Sequence, residues 1–198
     1  MQTLARFYQE RIALLKKSEL DLHQIDLTVV QDPYIDEKKA HPIMIIGEAP
    51  GANEVLAGEP FVGMAGKNLR ALISLAGLST QKDILITNAF PFRTFKMGVN
   101  GVKNRTPNTQ ELLFGATLLL QEIEIVKPNM ILILGGSAKK AFLKLPNQQL
   151  CDALKQMQNH TLRQIDGLTL GLSFHPSPLV YNQPKKRKLL EDFFLNLV

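Results

Sequence analysis

Cysteine is almost absent from this chain: Cys151 stands alone among 198 residues. The chain can therefore close no internal disulfide, and it cannot by itself supply an all-cysteine zinc or iron–sulfur site. Cys151 reads as a small buried hydrophobe. No apolar run approaches the length needed to cross a bilayer, so a helical membrane protein is excluded. Residues 1–17 mix charges with apolar residues at helical spacing and lack the continuous apolar core of a signal peptide, so a cytoplasmic protein is expected. No internal repeat is visible.

What is present is an ordinary globular composition, 45% hydrophobic and 21% charged, on a length that suits one well-buried core. A single domain over residues 1–198 is the expectation. The net charge of +5 and pI near 9.3 suit a polyanionic partner, but basic proteins that never meet nucleic acid are common.

Residues 43–46, 84–87, 130–134 and 168–174 read as strands. Three of them are Ile, Leu and Met with no clean alternation, the signature of a parallel strand covered on both faces. Helical patterns lie between and around them, at residues 3–17, 66–76, 109–126, 137–143 and 184–197. Asn108-Thr109 offers a helix cap, Pro128 follows the long central helix, and Gly135-Gly136 ends a strand where a helix begins. The expected architecture is a three-layer α/β/α sandwich around a mostly parallel four-stranded central sheet, with its ligand site beyond the carboxyl ends of the strands.

The motifs fall at those carboxyl ends. Gly47-Glu48-Ala49-Pro50-Gly51 follows the first strand, then Glu54, then a run from Gly58 to Gly66 that holds Pro60-Phe61-Val62-Gly63. The second strand ends in Thr87-Asn88, and the last runs into His175-Pro176-Ser177-Pro178-Leu179. A glycine-rich turn after a strand can cradle phosphate, but this one has neither the lysine of a P-loop nor the spacing of a dinucleotide fold.

In this order and combination the motifs resemble the uracil-DNA glycosylase superfamily, and the long glycine-bearing first motif looks most like its family 4. The resemblance runs from about residue 43 to 179. It implies catalytic roles for Glu48 and His175, and a pocket for an extruded base built from Ala49, Glu54, Phe61 and Asn88. It further implies DNA contacts at Ser177 and Leu179, the latter as a wedge in the gap left by the base. Chemistry makes these assignments reasonable. A base must leave the stack before its sugar can be attacked, and the pocket must then supply stacking and edge hydrogen bonds. Phe61 offers the first; the Asn88 amide, donor and acceptor together, offers the second and matches uracil rather than cytosine. His175 can bond the base carbonyl as negative charge develops there, while Glu48 can orient water or steady a cation-like sugar.

Lys185-Lys186-Arg187-Lys188 opens the last helix, where positive charge opposes the helix dipole. Lys185, Lys186 and Arg187 are therefore candidate phosphate contacts, with a solvated helix face as the alternative. Lys103, Asn104 and Arg105 lie in an apparent long loop after Asn88 and could add backbone contacts.

Family 4 implies a four-cysteine iron–sulfur cluster, and this chain departs from that pattern: Phe92 stands where one ligand would fall and Gly115 near another. Apolar packing by Phe90, Phe92, Phe95 and Phe114 is expected instead, with no iron–sulfur cluster, metal or organic cofactor. Ala49 stands where other branches carry a water-activating aspartate. The leading expectation is a monomeric, monofunctional glycosylase that removes uracil from single- or double-stranded DNA. Removal of hypoxanthine or xanthine, or DNA binding without cleavage, are the alternatives.

Overall fold

In the computed structural model, which describes residues 3–99 and 101–197, the chain opens with α1 (Leu4–Lys16), β1 (Ile25–Asp26), β2 (Ile43–Gly47), α2 (Ala52–Ala57) and α3 (Met64–Leu75). The middle comprises β3 (Ile84–Asn88), β4 (Arg93–Gly98), β5 (Gly101–Asn104), α4 (Thr109–Val126), β6 (Met130–Leu134) and α5 (Gly136–Phe142). The last third holds α6 (Gln148–Lys155), β7 (Thr161–Ile165), β8 (Leu168–Ser173), α7 (Pro178–Tyr181) and α8 (Pro184–Leu195).

The central sheet has the order β3-β2-β6-β8-β7, with four parallel strands and an antiparallel edge. The sandwich is as expected, but the sheet has five strands rather than four. The missed strand, β7, carries Thr161-Leu162-Arg163-Gln164-Ile165, a polar edge segment without a run of Ile or Val to mark it.

Strand geometry sends successive side chains to opposite faces. Met44, Ile46, Ile131 and Ile133 meet α4, α5 and α6 on one side. Ile43, Ile45, Leu132 and Leu134 meet α3 and α8 on the other. The exposed edge at β3 is blunted from outside: buried Asp32 accepts from the Ile86 N–H at 3.1 Å and pairs with Lys38 at 2.9 Å. Among the described residues no helix is long and apolar enough to cross a membrane.

A third apolar cluster lies outside the sandwich, where Phe7, Tyr8 and Leu15 of α1 pack on Ile25, Phe90, Phe92 and Leu118. Each buried ring contributes roughly 1.5–3 kcal/mol of burial free energy. This is where family resemblance would lead one to look for a cluster, and the residues do not fit one. Phe92 is a buried ring, and a Cβ at Gly115 would lie 2.5 Å from the Ala89 carbonyl oxygen. Cys151 bonds instead to the carbonyls of Phe142 and Leu145 in the core on the α5/α6 face. Phe114 packs at the margin of the third cluster as expected, whereas Phe95 does not join it and lies under Arg93 on the β4–β5 hairpin.

The third cluster is joined to the sheet by a buried polar network. Tyr8 donates its hydroxyl to Glu122, which also accepts from the Thr87 hydroxyl at 3.1 Å. The Arg11 guanidinium lies over the Tyr8 ring at 3.8 Å and 3.9 Å from the Glu122 carboxylate. Burial pushes the Glu122 carboxyl above its ordinary range, opposed by Arg11 and by the two hydroxyl donors. Tyr8→Phe removes one donor and leaves the buried carboxylate short of a partner. Chemical denaturation should show a loss of about 1–3 kcal/mol; an unchanged midpoint would mean that the bond contributes nothing to stability.

Candidate active site

The carboxyl ends of β2, β3 and β8 open on one cleft of about 190 Å³, lined by Glu48, Ala49, Pro50, Gly51, Glu54, Phe61, Ala65, Asn88 and His175. Gly47 and Asn88 are register partners, so the first and second motifs are fastened side by side. The pairing continues past the strands, with Ala89 donating to Gly47 and Phe90 to Glu48, each at 3.0 Å.

A Cβ on Gly47 would lie 2.7 Å from the Phe61 ring and 2.8 Å from Asn88 Oδ1, so only glycine lets these two groups converge. Phe61 itself adopts φ 55°, a left-handed conformation that costs an aromatic residue free energy. The surroundings hold it there: Arg70 donates to its carbonyl oxygen, and Gly66 packs so closely under that carbonyl that a Cβ would overlap it. The Phe61 ring lies 5.8 Å from the His175 ring, tilted by 31°.

His175 leaves β8 beside Gly135, where φ of 94° and a distance of 2.9 Å to the His175 Cβ exclude any larger residue. Asn68 donates to the Pro176 carbonyl at 2.9 Å and fixes the following turn. Burial lowers the proton affinity of the His175 imidazole, against the pull of the Glu48 carboxylate. Near neutral pH the ring is therefore uncharged.

Three carboxylate and amide groups face the cleft with different duties. Glu54 accepts from the backbone N–H groups of Gly51, Val62 and Gly63, each at 3.1 Å, and so clips the first motif to the Phe61 loop. Glu48 lines the cleft, and its Oε1 is buried with no hydrogen-bond partner. Asn88 is buried at the end of β3, and its amide makes no hydrogen bond among the described residues. An unpaired buried acceptor such as Glu48 Oε1 is costly, and the Asn88 amide at the cleft wall is free to pair with a ligand.

A model of the family described as Uracil DNA glycosylase superfamily matches residues 34–197. The chain belongs to that superfamily. It is 36% identical over 154 residues to a type-4 uracil-DNA glycosylase of Saccharolobus solfataricus, covering 76% of this chain and 68% of that one. Against the type-4 uracil-DNA glycosylase of Pyrobaculum aerophilum it is 42% identical over 153 residues, covering 76% and 74%. In fold it is similar to SMUG2 of Pedobacter heparinus, with TM-score 0.59 over 95% of each chain at 12% identity.

As a superfamily member the chain gathers Glu48, Ala49, Glu54, Phe61, Asn88 and His175 at one cleft. The remaining candidates lie on its β8 side. Ser177 caps α7, and Leu179 projects from that helix with 79% of its surface exposed. Lys185 is exposed and Lys186 half-buried on the first turn of α8, and neither has a protein partner among the described residues. Arg187 is already engaged, bonded to Glu191 at 2.7 Å and stacked over Tyr181 at 4.8 Å. Reasoning from sequence missed Ala65, which lines the cleft, and the supports Asn68 and Arg70, whose polar spacing on α3 carries no signal of what they reach.

The electrostatics of the cleft can be read by NMR titration of His175. Its pKa should fall below the ~6.5 of a free imidazole. In Glu48→Gln it should fall further, because the carboxylate that favours the imidazolium is gone. A normal value in the wild type, or an upward shift in the variant, would contradict this account of the site.

Proposed function

We propose that the chain is a monofunctional DNA glycosylase that hydrolyses the N-glycosidic bond of an extruded uracil and leaves an abasic site. The observation that carries this reading is the convergence of the Phe61 ring, the unpaired Asn88 amide and the Glu48 side chain on one base-sized cleft. Phe61 offers a face for stacking, and Asn88 can accept from N3–H while donating to O4, a pattern that cytosine reverses.

As the glycosidic bond breaks, the electron pair leaves with the base and negative charge gathers on its carbonyl oxygens. A neutral His175 can donate to O2 as that charge appears. The sugar becomes cation-like, and Glu48 can steady it and accept a proton from the water that attacks C1′. Ala49 supplies no base, so the weight falls on leaving-group stabilisation and on positioning. None of the described residues lining the cleft is a lysine, which supports hydrolysis over Schiff-base chemistry with strand cleavage. On the DNA side, Leu179 is suited to fill the vacated place in the stack, and Lys185 and Lys186 to meet the flanking phosphates.

The test is cleavage of labelled single- and double-stranded oligonucleotides containing uracil, hypoxanthine or xanthine, followed by alkali to reveal abasic sites. Uracil should be released selectively. His175→Ala should slow single-turnover release by about 10²–10³-fold while DNA binding survives. Asn88→Ala should lose the preference for uracil, at a cost of about 1–3 kcal/mol in the transition state. Release of hypoxanthine or xanthine in preference to uracil would reassign the substrate. Tight DNA binding without any cleavage would replace the enzyme with a binding module.

A further inference from the structure

The segment after Asn88, read from sequence as a loop, is a two-stranded ribbon. β4 pairs with β5 in antiparallel register, Phe95 opposite Asn104, Lys96 opposite Lys103, Met97 opposite Val102 and Gly98 opposite Gly101. Directly opposed residues share a face. One face of the ribbon therefore carries Lys96 and Lys103 with two glycines, and the other carries Phe95, Met97, Val102 and Asn104.

The root of the ribbon is fixed to the body. Ile25 of β1 pairs with Thr94, Arg105 and Thr94 bond through their backbones at 3.0 Å, and Arg105 forks onto Glu111 at 2.6 and 2.7 Å. Arg93 holds Asn104 at 2.8 Å, and Asn104 packs against Gly51, where a Cβ would lie 3.0 Å from its Nδ2. The root thus touches the first motif at the rim of the cleft. The outer part has no such support: Met97 is 72% and Val102 49% exposed, and Val99 at the turn is fully exposed.

Two features of this ribbon are unfavourable in the chain alone. Lys96 and Lys103 face each other across the strands, a like-charge pair that destabilises a sheet, and neither has a hydrogen bond or ion pair among the described residues. Residues 91–107 hold four basic side chains and no acidic one that could relieve the repulsion. Lysines do protect exposed strand edges from pairing, but edge protection needs neither an opposed pair nor three bare apolar side chains beside it. A polyanion with an apolar interior suits both faces together.

Topology places the ribbon. It leaves the sheet at β3, one edge, whereas His175 and Leu179 follow β8, three strand spacings or about 14 Å away. The cleft lies between the Leu179 helix and the ribbon. We propose that the β4–β5 ribbon is a second DNA-gripping element, with Lys96 and Lys103 on strand phosphates and Met97, Val99 and Val102 against sugars and bases on the rim opposite Leu179. The polymer it grips rests on the glycosylase reading given above.

The experiment measures Kd as a function of KCl by fluorescence anisotropy, on single-stranded and duplex oligonucleotides carrying a tetrahydrofuran abasic site, which cannot be cleaved. Lys96→Gln and Lys103→Gln should each reduce the slope of log Kd against log salt by about 0.7–0.9, and together by about twice that. Lys82→Gln, at the opposite end of β3, should leave the slope as it is. Met97→Ser with Val99→Ser should weaken binding several-fold without changing the slope. An unchanged slope in the double lysine variant, unchanged affinity in the apolar variant, or no DNA binding by the wild type would each overturn the assignment. Uracil release by the wild type is measured in parallel. Release with an unchanged slope sinks the ribbon alone, whereas a lysine-dependent slope without release supports the ribbon and sinks the uracil reading.

Discussion

At Gly47 the absence of one carbon atom decides whether the cleft exists. The Phe61 ring and the Asn88 amide both occupy the volume that a Cβ would fill, so the stacking face and the hydrogen-bonding edge can meet only over a bare backbone. Other unusual features of the site follow from that approach. Phe61 must take a left-handed backbone to present its ring, and Arg70, Gly66 and the Glu54 clip exist to hold it there. Gly135 repeats the device at the far wall, letting His175 come close to β6. The cleft is thus a product of backbone proximity between parallel strand ends, which a sandwich fold supplies without further design.

The third apolar cluster answers a different requirement. A segment between β3 and α4 must be tied to the N-terminal helix, and Phe90 and Phe92 do so by packing, together with Leu118 of α4, against Phe7, Tyr8 and Leu15. The Tyr8, Arg11 and Glu122 network then couples that packing to Thr87, the residue before Asn88. Burial and one buried carboxylate make that tie.

Strands 43–47, 84–88 and 130–134 were legible because a parallel strand buried on both faces is almost continuously apolar, and 168–173 was legible without that signature. The cleft residues were legible through the resemblance of their motifs to the superfamily, supported by three of those motifs following the carboxyl ends of strands, where such sheets bind ligands. What sequence could not reveal depends on partners distant in the chain. β7 is polar and is a strand only because β8 lies beside it. The β4–β5 ribbon does carry Asn100-Gly101, a hairpin signal that the reading of this segment as a loop passed over, but its residues are mostly exposed and no periodicity announces its strands. Glu54 lines the cleft, but that its oxygens accept from three backbone N–H groups of two loops is a geometry that exists only after folding.

With Ala49 where a water-activating carboxylate would stand, the proposed chemistry depends on how charge is distributed between the two sides of the cleft. Burial keeps His175 neutral, and a neutral donor binds a neutral base carbonyl weakly and an anionic one strongly, so its contribution grows as the bond breaks. An imidazolium would bind the ground state more tightly and would forfeit part of that difference. In the proposed chemistry Glu48 takes the opposite part, a carboxylate at the cleft wall on the side where the sugar would become positive. The same carboxylate favours protonation of His175, so the two groups oppose each other unless burial dominates. Burial does dominate here, and a neutral donor on the base side can therefore coexist with a carboxylate on the sugar side.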